Sequence, residues 1–277
     1  ALIEAWVDGP ERQTAPDETM LIDFGGTGPL ALYHLMQQPE YAYLNDSGRI
    51  NYSAIDKVFV THLHADHIGG LEEMGFIRAY SKVGECAPRT RPILIGSASM
   101  LTKLWKNCLM GGMEAKTGGR AVLDDYYELR ILADAAPDAT GRPWLEAFPM
   151  LDRYEIQPFA TDHLTIERKY DWPSFGLSIK DIQTGQSACF SGDSKFEPQA
   201  NGPLWQQARI IFHEVQLHDQ SGPVHALLSE LRTLPEDIRR KLYLYHYTDD
   251  WDSEDFADIS RQFAGFAQPA TRYALCP

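Results

Sequence analysis

Short apolar runs alternate with amphipathic stretches along the first half of the chain. The runs at 2–7, 20–24, 57–60 and 92–96 are rich in β-branched and aromatic residues and predict strands. Helices are predicted at about 30–38, 71–80 and 97–110, where apolar residues recur at helical spacing. This alternation is typical of an α/β protein.

The second half of the chain has more strands. They are predicted at 154–160, 164–170, 175–182, 187–191, 210–215 and 242–247, with helices at about 224–234 and 253–266. The pattern indicates a strand-rich core with helices on its outer faces. No linker is evident, so we expect one domain over 1–277. The segment 111–149 is rich in Gly, Ala, Asp and Pro, and we interpret it as an insertion near the site, a lid or a dimer arm, with a plain surface loop as the alternative.

The strongest chemical signal follows the predicted strand at 57–60. His62, His64, Asp66 and His67 lie within six residues, 62–67, and Gly69-Gly70 comes directly after them. Extended residues two apart point the same way, so His62 and His64 can converge on one ion, while Asp66 and His67, past the bend, face a second. Histidines that merely satisfy local hydrogen bonds are the alternative. Closely spaced N and O donors behind a strand favour metal binding.

Three further candidates stand at the ends of later strands. His163 follows the strand at 154–160, Asp193 lies in the turn Ser191-Gly192-Asp193, and His246 closes the strand at 242–247. Each has an ordinary alternative: a surface histidine, an Asx turn and a core histidine. The complete order of the motifs decides between these interpretations.

In that order, HxHxDH, then His, then Asp in an SGD turn, then His, the chain resembles the metallo-β-lactamase-fold superfamily of hydrolases. The resemblance spans nearly the whole sequence. It implies an α/β protein, a four-layer αββα sandwich with a dinuclear metal site at one edge. The implied ligands are His62, His64 and His163 for the first ion, Asp66, His67 and His246 for the second, and Asp193 as the bridge. Asp23, in Asp23-Phe24-Gly25, matches an early turn whose Asp supports the ligands.

A second pattern resembles the tRNase Z and phosphodiesterase branch. Glu214 follows His213 on a predicted strand, and His225 lies between it and His246. The resemblance implies that Glu214 orients His225 and that His225 protonates the departing oxygen, which makes Asp66, Glu214 and His225 the candidate catalytic residues. Alternatively, Glu214 only balances His213 and His225 caps a helix. Compared with tRNase Z, the gap from Glu214 to His225 is short and no Gly/Pro-rich arm is evident.

Charge and composition limit the size of substrate and the cellular location that we expect. The formal charge of −14 over 277 residues would repel a polyanion, so a small substrate is favoured over a long nucleic acid. No apolar run is long enough to span a membrane. The four cysteines form no CxxC pair, which favours a reducing, cytoplasmic location. Because the chain begins at Ala1 without Met, an upstream segment and export are left open.

We therefore expect a metal-dependent hydrolase, specifically a phosphodiesterase that cleaves a small phosphodiester, such as a cyclic nucleotide, with a metal-bridged hydroxide as nucleophile. Two divalent ions are expected, with zinc as the default and manganese or iron as alternatives. Three other functions stay open: a tRNase Z-like nuclease, a lactonase or β-lactamase acting on a carbonyl substrate, and a non-catalytic metal-binding accessory protein. A homodimer is also left open.

Overall fold

The chain folds into two compact units, Ala1–Ala133 and Asp134–Pro277. The computed structural model describes residues 1–10, 15–80, 91–164, 172–219 and 224–276. Among these residues, no helix combines the length and the hydropathy that a membrane span requires. This division into compact units does not test the expectation of a single domain over 1–277, which stays a prediction.

The first unit is built on a mostly parallel sheet. Its strands are β1 Leu2–Ala5, β2 Glu18–Ile22, β3 Asn45–Asp46, β4 Arg49–Ile50, β5 Lys57–Phe59, β6 Ile93–Ser97, β7 Ala115–Lys116, β8 Gly119–Arg120 and β9 Glu128–Leu132. The five-stranded sheet has the order β1-β2-β5-β6-β9, in which only β1 and β2 pair antiparallel. Strands β3 with β4 and β7 with β8 form two small hairpins.

The inner strands of this sheet are apolar along most of their length, as is typical of parallel strands. Met20 in β2, Val58 and Phe59 in β5 and Leu94 in β6 have no exposed surface. Because parallel strands end at the same edge of a sheet, the residues after β2 and β5 lie close together. The residues after β2 form the loop that contains Asp23, and the residues after β5 form the loop that contains the HxHxDH motif.

The helices of the first unit are α1 Gly28–Leu35, α2 Ala65–Ile68, α3 Leu71–Tyr80, α4 Ala98–Lys103 and α5 Met110–Met113. Between α4 and α5 the chain continues as a π-helical segment, Leu104–Leu109. Short 3₁₀ helices occur at Pro39–Leu44, Tyr52–Ala54 and Leu123–Asp125. The helix predicted at 71–80 is confirmed by α3, and the one predicted at 97–110 corresponds to α4 with its π-helical and α5 continuation.

The second unit is built on a mixed sheet of nine strands. They are β10 Asp134–Ala135, β11 Trp144–Leu145, β12 Phe148–Met150, β13 Tyr154–Ala160, β14 Phe175–Asp181, β15 Ser187–Phe190, β16 Ile210–Glu214, β17 Leu242–Tyr245 and β18 Gly265–Phe266. The order is β10-β11-β13-β14-β15-β16-β17-β18, with β12 also paired to β13. Strands β15 to β18 pair parallel, and β13, β14 and β15 pair antiparallel.

This topology brings five strand termini to one edge of the second sheet. The ends of β13, β15, β16 and β17 lie there, together with the start of β14, because Ala160 pairs with Phe175 and Glu214 pairs with Tyr245. The helices of this unit are α6 Pro198–Gln207, α7 Leu228–Leu231, α8 Glu236–Arg239 and α9 Ile259–Gln262, with a 3₁₀ turn at Glu254–Phe256. One face of the sheet packs on a core that includes Trp205, Ile211 and Leu244.

Two predicted helices are wrong over half of their length or more. In the range 224–234 only α7 is helical, because the backbone of residues 226–228 bonds to Gln216 in an extended bridge. In the range 253–266 the chain forms the 3₁₀ turn and α9 and then joins the sheet through β18. Helix α6 was not predicted, since Pro203 lies inside it. The strand predicted at 164–170 lies, apart from Leu164, outside the described residues.

The segment 111–149 contributes strands to both sheets. Strand β9 closes the first sheet, and β10, β11 and β12 belong to the second. Tyr126, Tyr127 and Phe148 in this segment are almost completely buried, so the interpretation as a plain surface loop is wrong for them. A role of the segment as an insertion near the site, a lid or a dimer arm stays a prediction.

Candidate functional site

The HxHxDH loop follows β5 and turns at once into α2. His64 is extended, with φ −70° and ψ 152°, and caps the helix that carries Asp66 and His67. The change from strand to helix turns the chain so that the four side chains lie close together, with the ring centroids of His62 and His67 4.0 Å apart. The Nε2 atom of His62 lies 3.0 Å from Nδ1 of His64, and Nε2 of His67 lies 3.3 Å from an Asp66 carboxylate oxygen. We call these four residues the first ligand cluster.

Asp23 holds one member of this cluster in place. Its Oδ2 atom accepts a hydrogen bond from Nδ1 of His67 at 2.6 Å and another from the Thr61 hydroxyl at 2.6 Å. Its Oδ1 atom accepts the backbone N–H of Thr61 at 2.7 Å. Since Nδ1 of His67 faces Asp23, Nε2 of the same ring faces Asp66. Asp23 adopts φ 61°, a left-handed conformation that Asp tolerates and that is often found at functional sites.

The turn after Asp23 packs tightly on α2. The N–H groups of Phe24 and Gly26 donate to the carbonyls of His67 and Ala65 at 2.8 and 3.1 Å. A Cβ atom at Gly25 would lie only 1.6 Å from the Asp66 carbonyl oxygen, so no larger residue fits there. The two loops at the edge of the first sheet are therefore fixed to each other through their backbones.

The second unit places its own candidates at the edge described above. His163 is almost completely buried, and its Nδ1 atom donates to the Val224 carbonyl at 2.9 Å, which makes Nε2 the candidate ligand atom. Burial lowers the pKa of His163, so the ring is neutral at physiological pH, the form that binds metals. Asp193 is also buried and lies in a turn that Gly192 allows by adopting φ 61°.

Glu214 and His225 form a close pair. Oε2 of Glu214 accepts Nδ1 of His225 at 2.6 Å, and Oε1 accepts the Ser194 N–H at 2.6 Å. Burial by itself lowers the pKa of His225, but the hydrogen bond to Glu214 and the charge of Glu214 outweigh this effect and raise it above its ordinary value. His225 is therefore suited to hold a proton near neutral pH.

His246 completes the second ligand cluster, which we define as the candidate ligands His163, Asp193 and His246, with His225 beside it, its Nδ1 atom 3.9 Å from an Asp193 oxygen. Its Nε2 atom lies 3.8 Å from an Asp193 oxygen and its Nδ1 atom 3.7 Å from Glu214. His246 adopts φ 60°, a costly conformation for a histidine. Ligand atoms of His163, Asp193 and His225 lie within 4.8 Å of one another, and so do those of Glu214, His225 and His246.

Both clusters fit divalent metal ions by the chemistry of their donors. Two nitrogens bound to one tetrahedral zinc at about 2.0–2.1 Å lie roughly 3.3 Å apart, close to the separations of the two pairs in the first cluster. Histidines that bind metals usually donate their other ring N–H to a carboxylate or a carbonyl. His67 does so to Asp23 and His163 to Val224, which leaves Nε2 of each ring to act as a ligand.

Each site residue predicted from the sequence is therefore found in one of the two clusters or in direct contact with it. The sequence did not reveal the small polar residues that hold the ligands, namely Thr61, Thr161 and Ser174. Their only sequence signal is that Thr61 and Thr161 stand within two residues of the end of a β-strand and just before candidate ligands. Ser and Thr are too common in such places for that signal to identify them.

Comparison with known proteins identifies the family. The family model described as Anti-Pycsar protein Apyc1 matches residues 13–273. The Anti-Pycsar protein Apyc1 of Paenibacillus sp. (strain J14) is 34% identical over 241 residues, which cover 86% of this chain and 82% of that protein.

Solved structures match at lower identity. The metallo-β-lactamase fold protein YhfI from Bacillus subtilis has a TM-score of 0.60 at 15% identity, over 92% of this chain and 87% of its own. Unliganded yeast PDE1 has a TM-score of 0.61 at 13% identity, over 91% and 86%. The short form of human tRNase Z has a TM-score of 0.58 at 17% identity, over 94% and 89%. The chain has the metallo-β-lactamase fold, and the predicted resemblance to this superfamily is confirmed.

Proposed function

Because this chain belongs to the Anti-Pycsar protein Apyc1 family, we propose that it is a metal-dependent phosphodiesterase that hydrolyses a small phosphodiester, with cyclic nucleotides as the first class to test. The family, the fold and the donor chemistry of both clusters support hydrolysis. The choice of a phosphodiester depends on one observation, the pairing of Glu214 with His225.

The ligand assignment is part of this proposal and rests on the order of the motifs in the sequence. His62, His64 and His163 would hold one ion, Asp66, His67 and His246 would hold the other, and Asp193 would contribute to both. Zinc is the expected metal for a set dominated by imidazole, and manganese or iron also suits a set that includes carboxylates. When bound, divalent ions activate water at neutral pH and neutralise charge on the phosphoryl oxygens.

Glu214 and His225 supply what a phosphodiester requires beyond the metal. An alkoxide is a poor leaving group and needs a proton as it departs. Nδ1 of His225 is held by Glu214 at 2.6 Å, so proton exchange with the substrate falls to Nε2. The raised pKa of His225 keeps that proton available. Glu214 thus orients the ring and stabilises its charged form, and His225 acts as the general acid.

The net charge supports a small substrate. With a formal charge of −14, the protein gains little from a long phosphate backbone, whose binding depends on many Lys and Arg contacts. A cyclic nucleotide carries a single phosphodiester and avoids that cost.

A hydrolysis screen of the metal-loaded protein tests the proposal. The substrates are 3′,5′-cyclic nucleotides, linear phosphodiesters, a lactone and a β-lactam, and Asp66→Ala is the control without a complete ligand set. We expect turnover of at least one cyclic nucleotide, lost in the control. Ring opening of the lactone without phosphodiester turnover would refute the proposal, and tight metal binding without any turnover would indicate an accessory protein.

A further inference from the structure

Two short segments of the second unit carry candidate ligands and are joined along their length by hydrogen bonds and an ion pair. The first is residues 161–163, which follow β13 and end in His163. The second is residues 193–197, which follow β15 and begin with Asp193. The contacts between them involve residues that the proposed chemistry does not use.

Hydroxyl groups hold the near end of these segments. The Ser174 hydroxyl donates to the Asp193 carbonyl at 3.1 Å, and the Thr161 hydroxyl lies 3.2 Å from the same oxygen and 3.0 Å from the Ser174 hydroxyl. The Thr161 N–H donates to the Ser174 carbonyl at 2.9 Å. This end is buried, and its contacts continue the pairing of β13 with β14.

Asp162 and Lys195 hold the exposed end. The Lys195 N–H donates to the Asp162 carbonyl at 2.6 Å, and the Asp162 N–H donates to Glu197 at 3.1 Å. The Lys195 ammonium group contacts both carboxylate oxygens of Asp162, at 2.9 and 3.0 Å. Backbone and side chain therefore join the same two residues, one next to His163 and the other two residues after Asp193.

Asp162 stands beside a candidate metal ligand without being one. Among the described residues, it belongs to none of the groups whose ligand atoms lie close enough to share an ion. Its carboxylate is directed to Lys195 instead. An ion pair with side chains 33% and 48% exposed contributes little to the free energy of unfolding, so its loss should leave the fold intact.

We propose that Asp162 and Lys195 are positioning residues that set the distance between His163 and Asp193 for metal binding. The inference rests on the proposed metal site. Ligands must be held to within about 0.5 Å of the geometry that the ion requires, and a loop that is ordered only on binding weakens affinity. The pair fixes both segments before the ion arrives.

A charge-swap experiment tests this pair. Asp162→Lys, Lys195→Asp and the double variant are compared with wild type by calorimetric titration of zinc into metal-free protein, and thermal unfolding of the metal-free forms is measured in parallel. Each single variant places like charges together, and we expect roughly tenfold weaker zinc binding, the low end of the effect of losing a supporting contact. The double variant restores the attraction and recovers most of the affinity.

Lys116→Asp is the matched control. Lys116 pairs with Asp125 at 2.8 Å, with side chains 33% and 38% exposed, and this pair lies in the first unit at the β7–β8 hairpin. It should change thermal unfolding as little as the test variants do and leave zinc affinity unchanged.

The outcomes separate the two proposals. If the pair acted only through net charge, Lys195→Asp would tighten zinc binding, and that result would overturn the inference, as would wild-type affinity in both single variants. Loss of affinity in both, with recovery in the double variant, supports it even if no phosphodiester is cleaved. Failure of the wild-type protein to bind zinc, manganese or iron in the same titration would overturn the proposed function and this inference together.

Discussion

At the scale of single residues, Glu214 shows how burial restricts a side chain to one arrangement. It has no exposed surface, and each of its oxygens accepts one hydrogen bond, from His225 and from the Ser194 N–H. A buried carboxylate left without such partners would cost several kcal/mol, so the pair is fixed by the fold. His225 is therefore oriented before any substrate binds.

Replacement of His225 by Ala should affect substrates according to their leaving groups. We expect kcat for a cyclic nucleotide to fall about 10²-fold to 10⁴-fold, the usual contribution of a general acid. Hydrolysis of bis(4-nitrophenyl) phosphate should fall far less, because 4-nitrophenolate leaves without a proton at neutral pH. Steady-state kinetics on both substrates, with the metal content of each preparation measured, tests this.

His218→Ala is the matched control for that experiment. His218 also pairs with a carboxylate at 2.6 Å, that of Asp250, but it is exposed and has no role in the proposed mechanism. It should leave both rates unchanged. An equal loss on both substrates in His225→Ala would show that His225 maintains the site and does not protonate the leaving group.

Among the described glycines of the first unit, Gly25 leaves the least room for a side chain. In Gly25→Ala the new Cβ would lie 1.6 Å from the Asp66 carbonyl oxygen, and backbone on both sides would have to move. We expect a loss of about 3 kcal/mol in the free energy of unfolding, at the upper end for overpacking. Urea denaturation of the metal-free protein measures it.

Gly119→Ala provides the comparison, since a Cβ atom there meets nothing within 4 Å. Its unfolding should stay close to wild type. If Gly25→Ala left the free energy of unfolding equally unchanged, that result would contradict the close approach of the two loops.

At the scale of elements, strands were easier to predict than helices. Strand β13 was predicted at its observed bounds, Tyr154–Ala160, because apolar residues alternate with Glu155 and Gln157 in a stretch bounded by turns. The range 224–234 has helical spacing, but long-range backbone bonds to Gln216 make its start extended. Helix α6 was missed because Pro203 argues against a helix locally, whereas Trp205 packs into the core and stabilises it. Local sequence patterns do not predict such tertiary contacts.

The β13–β14 hairpin is held at its far end by an ion pair that should make stability depend on pH. The Arg153 guanidinium contacts one Asp181 oxygen at 2.6 and 3.1 Å and holds the pKa of that buried carboxyl at about 2, below the ordinary 3.8. A lowered pKa in the folded state stabilises the protein above the unfolded pKa, and this contribution is lost as pH falls toward 2.

Arg153→Met should therefore destabilise the protein by about 2 kcal/mol near neutral pH, the size of a hydrogen bond to a charged group. The difference from wild type should stay constant down to about pH 5 and shrink below about pH 4, as Asp181 takes up a proton. Urea denaturation at several pH values measures it. A difference independent of pH would mean that Arg153 acts through packing on Tyr154, which its guanidinium also covers.

At the scale of the whole molecule, the candidate ligands were predictable because they occupy strand ends in a fixed order along the chain. Their supporting contacts were not, because the hydroxyls of Thr161 and Ser174 meet the Asp193 carbonyl only after β13 and β14 have paired. The sequence likewise contains no sign that Asp162 faces Lys195 rather than an ion. A linear motif identifies donors, and the fold determines which of them are held in place.

The net charge of −14 leads to a prediction about the class of substrate. Binding of a single-stranded nucleic acid weakens with salt by a slope of about −0.7 for each phosphate neutralised, so a nuclease loses affinity steeply between about 50 and about 500 mM salt. A cyclic nucleotide has one phosphodiester, and we expect its KM to change by less than about tenfold over that range.

A single-stranded RNA oligonucleotide should inhibit weakly even at low salt, because the overall charge repels it. Strong inhibition that fades as salt is added would instead indicate a local basic surface and a tRNase Z-like activity. Initial rates with and without the oligonucleotide, measured across the salt range, distinguish the two functions, since only a polymer that contacts several phosphates can show the steep dependence.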